Sequence, residues 1–192
     1  MNTAVIPASP STKPTQWKID PAHSAAHFSV RHLMISNVRG EFTKVSGGAL
    51  IDHANPAKST VEITIEAASL NTREPQRDEH LRSADFFDVA NHPTLTFRSK
   101  RIEPLGADHH KLIGDLTIRG TTKEVAFDVE GPTASVKDPW GNIRAGITAS
   151  AKVNRKDFGL VWNALTETGG VMVGDEVKIT IEAELIQQAP AA

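Results

Sequence analysis

Hydrophobic and polar residues alternate along most of the chain, from about residue 26 almost to the C-terminus. The segments 61–67, 125–129, 143–153 and 177–185 carry an apolar residue at every second position, with mostly charged or hydroxyl residues between them. A two-residue period places one set of side chains on a buried face and the other set in water. One-sided strands of this kind are typical of antiparallel sheets.

The pattern divides into eight predicted strands, several of them longer than the average strand. They cover residues 23–31, 38–53, 58–67, 93–101, 109–119, 122–134, 142–153 and 175–187. Turn residues separate them, as in Asp138-Pro139-Trp140-Gly141, which matches a type I turn. Within 38–53 the apolar phase shifts, and this predicts a bulge or bend between Thr43 and Gly48.

Two segments break the alternation. Residues 75–84 are predicted to form one short helix, with Pro75 in its first turn and Leu81 as its apolar anchor. The helix is too polar for a core position, so we expect it over one end of the sheet. Residues 154–170 lack a regular period but are rich in large apolar side chains, which predicts an apolar loop.

The ends of the chain differ in composition from the middle. Residues 1–15 contain three prolines among Ser, Thr and Ala, and they are predicted to form a disordered arm. Residues 16–187 form the single predicted domain, and 188–192 a flexible tail. No segment reaches the roughly 18–20 apolar residues that span a bilayer, and the start does not resemble a secretory signal. We therefore expect a cytoplasmic protein, although a processed secreted chain would look the same.

The predicted fold is an all-β antiparallel structure whose strands bury one apolar face by closing or pairing. An eight-stranded barrel is either filled by side chains or holds one ligand. Inward positions on 143–153 include three alanines, and Gly47 lies on the inward face of 38–53, so such a barrel would be partly hollow. A flattened two-sheet core packed to ordinary density remains the alternative.

Composition and charge remove several classes of protein. The 192 residues contain 21 Lys and Arg against 23 Asp and Glu, a net charge of −2 that argues against nucleic-acid binding. Cysteine is absent, which excludes thiol nucleophiles and thiolate metal sites. His23 and His27 would lie about 13 Å apart on an extended strand, and no metal-binding motif is present, so no metal site is predicted.

Charged residues cluster around the predicted helix. Its carboxylates interleave with Arg73, Arg77 and Arg82 at helical spacing, which favours solvated ion pairs over a general acid and base. No nucleophile motif or cofactor fingerprint is present, so the chain is not expected to be an enzyme. The arginines are candidates for binding an anionic head group. An ordinary charged helix face is the competing interpretation.

Several collinear stretches together resemble the YceI-like lipid-binding family. They comprise 17–24 with 28–32, 80–88 followed by Pro93 and Phe97, 114–122, 154–160 and 174–177. The resemblance covers about residues 16–187. It implies an eight-stranded, lipocalin-like antiparallel barrel with an elongated apolar tunnel. It further implies binding, storage or transport of a polyisoprenoid chain, such as the tail of an isoprenoid quinone or a prenyl phosphate, with no other cofactor and with a homodimer as the expected assembly.

The resemblance and the alternation together assign the site. The predicted tunnel residues are Phe28, Val30, Phe42, Ile63, Ile65, Phe97, Leu116, Val125, Phe127, Ile147, Ala149, Ile179 and Ile181. Four aromatic residues are predicted to close its ends: Phe86, Phe87, Phe158 and Trp162. The predicted head-group contacts are Arg73, Arg77, Arg82 and Arg155. The alternatives are an enzyme that modifies an isoprenoid or amphiphile head group, and a solid-cored interaction module.

Overall fold

Twelve strand segments and one α-helix make up the regular structure in a computed structural model that describes residues 13–52, 54–165 and 170–189. The strands are β1 (Thr15–Ile19), β2 (Ala25–His32), β3 (Ser36–Phe42), β4 (Val45–Ile51), β5 (Thr60–Glu66), β6 (Leu70–Asn71), β7 (Thr94–Pro104), β8 (His109–Ile118), β9 (Thr121–Glu130), β10 (Val136–Lys137), β11 (Ile143–Asn154) and β12 (Val173–Gln187). The helix is α1 (Pro75–Arg82), and short 3₁₀ turns cover Pro56–Lys58, Ala67–Ser69 and Arg155–Phe158.

These segments occupy eight positions around a closed antiparallel barrel. β1 and β2 share one position, since both pair with the same edge of β12, at Trp17↔Gln187 and Phe28↔Ile179. β3 and β4 share the next position, and β5 and β6 the third. β7, β8, β9, β11 and β12 complete the ring in chain order. The eight-stranded barrel expected from the sequence is confirmed.

The last strand closes the barrel. One edge of β12 pairs with β11, from Arg144↔Ile186 to Asn154↔Glu176, and its other edge pairs with both β1 and β2. The ladder between β9 and β11 is much shorter, running from Glu130↔Thr148 to Asp128↔Ser150. Pairing of β12 on both of its edges closes the ring, whereas residues 121–127 of β9 form no ladder with β11.

The predicted strand 38–53 is two strands with different neighbours. β3 pairs with β2, whereas β4 pairs with β1 and β5, and the chain bends at Thr43 and Lys44. The bend falls at the start of the segment where the apolar phase shifts. Farther along, Gly47 has φ +123°, and a Cβ there would lie 2.1 Å from the Glu62 carbonyl oxygen, so a side chain is excluded.

The segment before the first predicted strand also forms a strand. β1 begins at Thr15, one residue inside the predicted arm, and residues 1–12 of that arm lie outside the described ranges. Its separation from β2 has a local cause, because the Asp20 carboxylate accepts a hydrogen bond from Ala22 N at 3.0 Å and turns the chain. At the other end, Gln188 N donates to Gln16 O at 2.8 Å, so the predicted tail starts beside β1.

The two ends of the barrel differ. The upper end carries α1, the β2–β3 turn at 33–35, the turn at 119–120 and residues 155–165 and 170–172. The lower end carries residues 54–59, 105–108 and 131–142. The helix predicted at 75–84 is confirmed at 75–82. The predicted loop 154–170 begins with the 3₁₀ turn Arg155–Phe158, and its residues 166–169 lie outside the described part of the chain. Neither α1 nor any 3₁₀ turn in the described ranges is long and apolar enough to cross a bilayer.

A buried carboxylate fastens α1 to the barrel. Asp78 accepts hydrogen bonds from Thr72 N at 2.8 Å and from Thr72 Oγ1 at 2.6 Å, directly after β6. Leu81 on the same helix packs against the buried core, as expected for its apolar anchor. The helix therefore lies as a cap over the upper end.

Candidate functional site

An apolar cavity of about 130 Å³ lies inside the upper half of the barrel. Ten of the predicted tunnel residues line it: Phe28, Val30, Phe42, Ile63, Ile65, Phe97, Leu116, Phe127, Ile179 and Ile181. The wall also includes residues outside the predicted tunnel set: Ala26, His27, Leu81, Leu95, Thr96, Ile118, Val153, Leu160, Val173 and Val177. The inward face of the alternating strands therefore surrounds an open space.

The size of the cavity limits what fits without rearrangement. An apolar cavity of about 150 Å³ lined by Leu, Ile and Phe stays dry and takes up benzene. The space here accordingly matches one ring or one branched five-carbon unit. A longer chain enters only if wall side chains move, and rotation of side chains is the change that a densely packed barrel permits most readily.

Aromatic side chains form much of the wall. The Phe28 and Phe42 rings lie 5.7 Å apart, and Phe42 meets Phe87 edge to face at 5.4 Å. On the opposite side, Phe97 and Phe127 form a second edge-to-face pair at 5.2 Å. These pairs are large, adaptable surfaces for an apolar ligand.

The residues predicted to close the tunnel lie at the upper end. Phe86, Phe87 and Phe158 contribute to the cavity wall, and Phe158 is only 2% exposed. Trp162 does not line the cavity but packs behind Phe86, with ring centres 5.3 Å apart. His80 of α1 meets both rings edge to face and bonds Asp85 through Nε2 at 2.9 Å. The cap is therefore aromatic with one imidazole at its outer side.

Three predicted tunnel residues lie elsewhere. Ala149 is buried in the core, and Val125 packs half-buried against it. Ile147 lines a separate, more polar groove of about 700 Å³ near the lower end, between β11, β12 and residues 131–134. Alternation identifies the inward face of a strand but carries no information about the depth at which the cavity ends.

Arg155 is a buried structural residue of the cap. Its guanidinium donates to the carbonyl oxygens of Leu160 at 2.6 Å, Trp162 at 2.8 Å and Gly174 at 2.9 Å, and lies 3.4 Å from Asp175. Burial lowers the pKa of Arg155, and the Asp175 carboxylate opposes that effect. Because these bonds join residues 160–162 of the cap to the start of β12, Arg155 holds the cap in shape.

The helix arginines also bond to the backbone. Arg77 donates to Thr72 Oγ1 at 2.8 Å and to Thr72 O at 2.9 Å. Arg82 donates to Ala68 O at 3.1 Å and to Leu70 O. Arg73 is exposed, with a left-handed φ of +65°. Head-group binding by these arginines stays a prediction, and exposure makes Arg73 the best placed of them.

A charged cluster lies at the opposite, lower end. Arg144 bonds Asp20 at 2.6 Å, Asp138 at 2.7 Å and also Glu184. Hydrogen bonds from Arg144 and then His23 lower the pKa of Asp20 to about 2. Burial would raise the pKa of Asp138, but bonds from Arg144 and Asn142 outweigh it and hold that pKa below its usual range. The three carboxylates in turn raise the pKa of Arg144.

The same cluster contains the residues best suited to hold a cation. Potential ligand atoms of Asp20, His23 and Glu184 lie within 4.8 Å of one another. The Arg144 guanidinium forms ion pairs with both carboxylates, so their negative charge is already balanced by a cation of the chain. This cluster is not apparent from the sequence, because Arg144 and Asp20 are far apart in the chain and form no motif.

Comparisons with known proteins agree with this architecture. A UPF0312 protein of Staphylococcus aureus strain N315 is 37% identical over 172 residues, covering 88% of this chain and 96% of the staphylococcal one. The solved structure of the Campylobacter jejuni YCEI protein is 32% identical, with a TM-score of 0.69 over 83% of this chain and 90% of that one.

Two more distant solved structures show the fold alone. Burkholderia cenocepacia BcnA superposes with a TM-score of 0.73 at 24% identity, over 86% of this chain and 98% of that one. A polyisoprenoid binding domain from Saccharophagus degradans, implicated in plant cell wall breakdown, gives 0.66 at 16% identity, over 90% and 98% of the two chains. The family model of the YceI-like domain matches residues 17–185, and the chain therefore belongs to the YceI-like family.

Proposed function

We propose that this protein binds a long apolar chain of the isoprenoid type in its barrel and stores or carries it without chemical change. The observation that carries the proposal is the apolar cavity, whose wall comes from most strands of the barrel and from its cap. The polyisoprenoid-binding domain with the same fold supports the ligand class. An isoprenoid consists of branched, flexible five-carbon units, and each unit needs only a small displacement of the wall side chains to enter.

The energy of binding requires that most of the chain be enclosed. Burial of roughly 400 Å² of apolar surface contributes on the order of 10 kcal/mol at about 25 cal/mol per Å². Association costs about 4–15 kcal/mol, so a single five-carbon unit would not remain bound. A ligand of several units, drawn in as the Phe28, Phe42 and Phe87 rings shift, overcomes that cost.

The polar head of the ligand belongs at the upper end under this proposal. Arg73 is exposed and His80 is half-exposed at this end, whereas Arg155 is committed to carbonyl oxygens. A quinone ring or a prenyl phosphate would each be recognised by such donors. The carboxylates with strongly lowered pKa values, Asp20 and Asp138, lie at the other end, which favours binding over catalysis in the cavity.

Native mass spectrometry of freshly purified protein tests the proposal. We expect a stoichiometric adduct, and organic extraction followed by mass spectrometry should identify an isoprenoid and the number of its units. The same protein stripped of lipid and then mixed with an isoprenoid quinone should regain the adduct. A chain that neither co-purifies with an isoprenoid nor takes one up after stripping contradicts the proposal.

A further inference from the structure

Large apolar side chains are exposed mainly at the capped end of the barrel. Six of the nine exposed large hydrophobic residues in the described ranges lie there: Leu33, Met34, Ile35, Val161, Leu165 and Val171. Met34 is 57% exposed and Ile35 is 77% exposed. Apolar residues concentrated on one surface, beside an apolar cavity, indicate an interaction surface rather than random exposure.

The turn between β2 and β3 carries three of these side chains and holds two of them in an unfavourable backbone conformation. Leu33 and Met34 have φ values of +50° and +60°, and Ile35 N donates to His32 O at 3.1 Å across the turn. Hairpin turns with two left-handed residues strongly prefer Asn and Gly. Bulky apolar residues there make the turn less stable, and such strain is found mainly where it serves a function. We call Leu33, Met34 and Ile35 the apolar tip.

Hydrogen bonds join the apolar tip to the cap. Leu33 N donates to Met172 O at 2.8 Å, and the Arg31 guanidinium donates to Met34 O at 2.6 Å. Leu165 and Val171 face each other across an isolated β-bridge on the adjoining segment. The tip and the exposed residues of the cap therefore form one surface at the upper end.

The hairpin that carries the apolar tip is basic. The β2–β3 hairpin carries Arg31, His32 and Arg39, and no carboxylate occurs between Asp20 and Glu41. Both arginines are exposed. Apolar side chains flanked by basic residues bind the interface of anionic lipid bilayers, where the apolar groups enter the acyl boundary and the cations meet the head groups.

We propose that the apolar tip inserts into the surface of an anionic lipid bilayer and that the protein docks there with its capped end facing the lipid. Phe28 and Val30 of the same hairpin line the cavity, so docking brings the cavity next to the membrane. The inference goes beyond binding of an apolar chain, and vesicle binding is measured without reference to any ligand in the barrel.

Flotation with vesicles tests the docking. We expect the protein to float with vesicles of phosphatidylcholine and phosphatidylglycerol more strongly than with phosphatidylcholine alone. The double variant Leu33→Asn/Met34→Gly supplies the preferred turn residues, so it should fold at least as well as the wild type. Its affinity for the anionic vesicles should fall by at least about tenfold, because the burial of one large apolar side chain is worth that factor or more.

Two single variants complete the test of vesicle binding: one measures the electrostatic contribution, and the other is a control for the loss of an exposed apolar side chain. Arg39→Gln should weaken binding to the anionic vesicles about fivefold, the contribution of one basic residue near such a surface, and leave binding to phosphatidylcholine unchanged. Leu105→Asn changes an exposed apolar residue at the lower end; it is the control for the loss of an apolar side chain and should bind as the wild type does.

Three results would overturn the proposal. The wild type fails to float with anionic vesicles, or the double variant floats as well as the wild type. In the third, the wild type is a dimer in solution, does not float, and becomes monomeric in the double variant; the apolar tip is then an interface between two copies. If the protein does not bind vesicles but native mass spectrometry still finds an isoprenoid bound to it, the docking proposal fails and the proposed function is unaffected.

Discussion

At the scale of single residues, small side chains decide whether the barrel has an interior. Ala26 is 3% exposed and lines the cavity, where it pairs with Phe42 and Ile181 on the neighbouring strands. Its methyl group occupies a position from which a larger side chain would extend into the open space. The adjacent Ala25 lies on the opposite face of the same strand.

Ala26→Phe is expected to abolish uptake of an isoprenoid by the stripped protein, because one phenyl ring fills a cavity of about 130 Å³. Stability should change by no more than about 1–3 kcal/mol, since the ring enters existing space. Native mass spectrometry after incubation with lipid measures the uptake, and urea unfolding measures the stability. Ala25→Phe is the matched control and should bind normally. Full uptake by folded Ala26→Phe would place the binding site elsewhere.

The Asp20 carboxylate should make the lower end sensitive to acid. Its pKa is lowered from 3.8 to about 2, so the stabilisation is present above pH 3.8 and is lost as the pH falls through about 2. Asp20→Asn should cost about 2 kcal/mol of unfolding free energy at neutral pH, and the cost should shrink between pH 4 and pH 2. Urea unfolding of the wild type and of Asp20→Asn at several pH values measures this difference in unfolding free energy.

Glu176→Gln provides the control for that titration. Glu176 forms an exposed ion pair with Lys152 at 3.0 Å, and exposed pairs contribute little to stability. Its substitution should change the unfolding free energy by less than about 1 kcal/mol at every pH. A penalty for Asp20→Asn that stays constant down to pH 2 would show that the carboxylate acts through packing and not through its charge.

At the scale of elements, the cap depends on the attachment of α1. Asp78→Ala removes both bonds to Thr72 and leaves its buried donors without a partner, which should cost about 1–3 kcal/mol. The amides of α1 should then exchange hydrogen faster than those of β8. Asp78→Asn keeps an acceptor oxygen and should retain most of the stability. Equal loss in both variants would mean that the carboxylate charge, rather than the hydrogen bonds, holds the helix.

Alternation along the chain predicted the long strands and their antiparallel order, because one-sided burial leaves a direct trace in sequence. The same signal missed β1, which has five residues and is cut from β2 by a turn at Asp20. It also joined β3 to β4, since only neighbouring strands reveal that the two segments change partners at Thr43. Strand pairing depends on residues far away in the chain, and a local pattern does not contain it.

Alternation marks candidate site residues on the strands, but it carries no information about those of the cap. Inward strand residues such as Phe28 and Ile181 line the cavity, but Leu160 of the cap lies in a segment without a period that would mark it. The sequence predicts the arginines as head-group contacts, whereas the burial of Arg155 depends on carbonyl oxygens of Leu160, Trp162 and Gly174 that surround it only in the folded cap. Only the resemblance of residues 154–160 to the family marked that position.

At the scale of the whole molecule, closure of the barrel should make its two ends unfold together. Trp17 lies in β1 at the lower half and Trp162 lies in the cap, and β12 connects the two regions. In the background of Trp140→Phe, the added substitution Trp17→Phe leaves Trp162 as the fluorescent reporter, and Trp162→Phe leaves Trp17. We expect the two variants to unfold at the same urea concentration, as a two-state domain does. An earlier transition reported by Trp162 would show that the cap unfolds separately from the barrel.

The position of β12 also has a consequence for how the chain is made. β1 and β2 are synthesised before the other strands. The strand that covers their outer edge is β12, which has 15 residues and is synthesised after all the others. Throughout elongation that edge is open and able to pair with other chains, which makes it the segment most in need of a chaperone. The hairpins from β7 to β9 form locally in the meantime. Closure waits for the synthesis of β12, so this strand sets the moment at which the whole barrel folds.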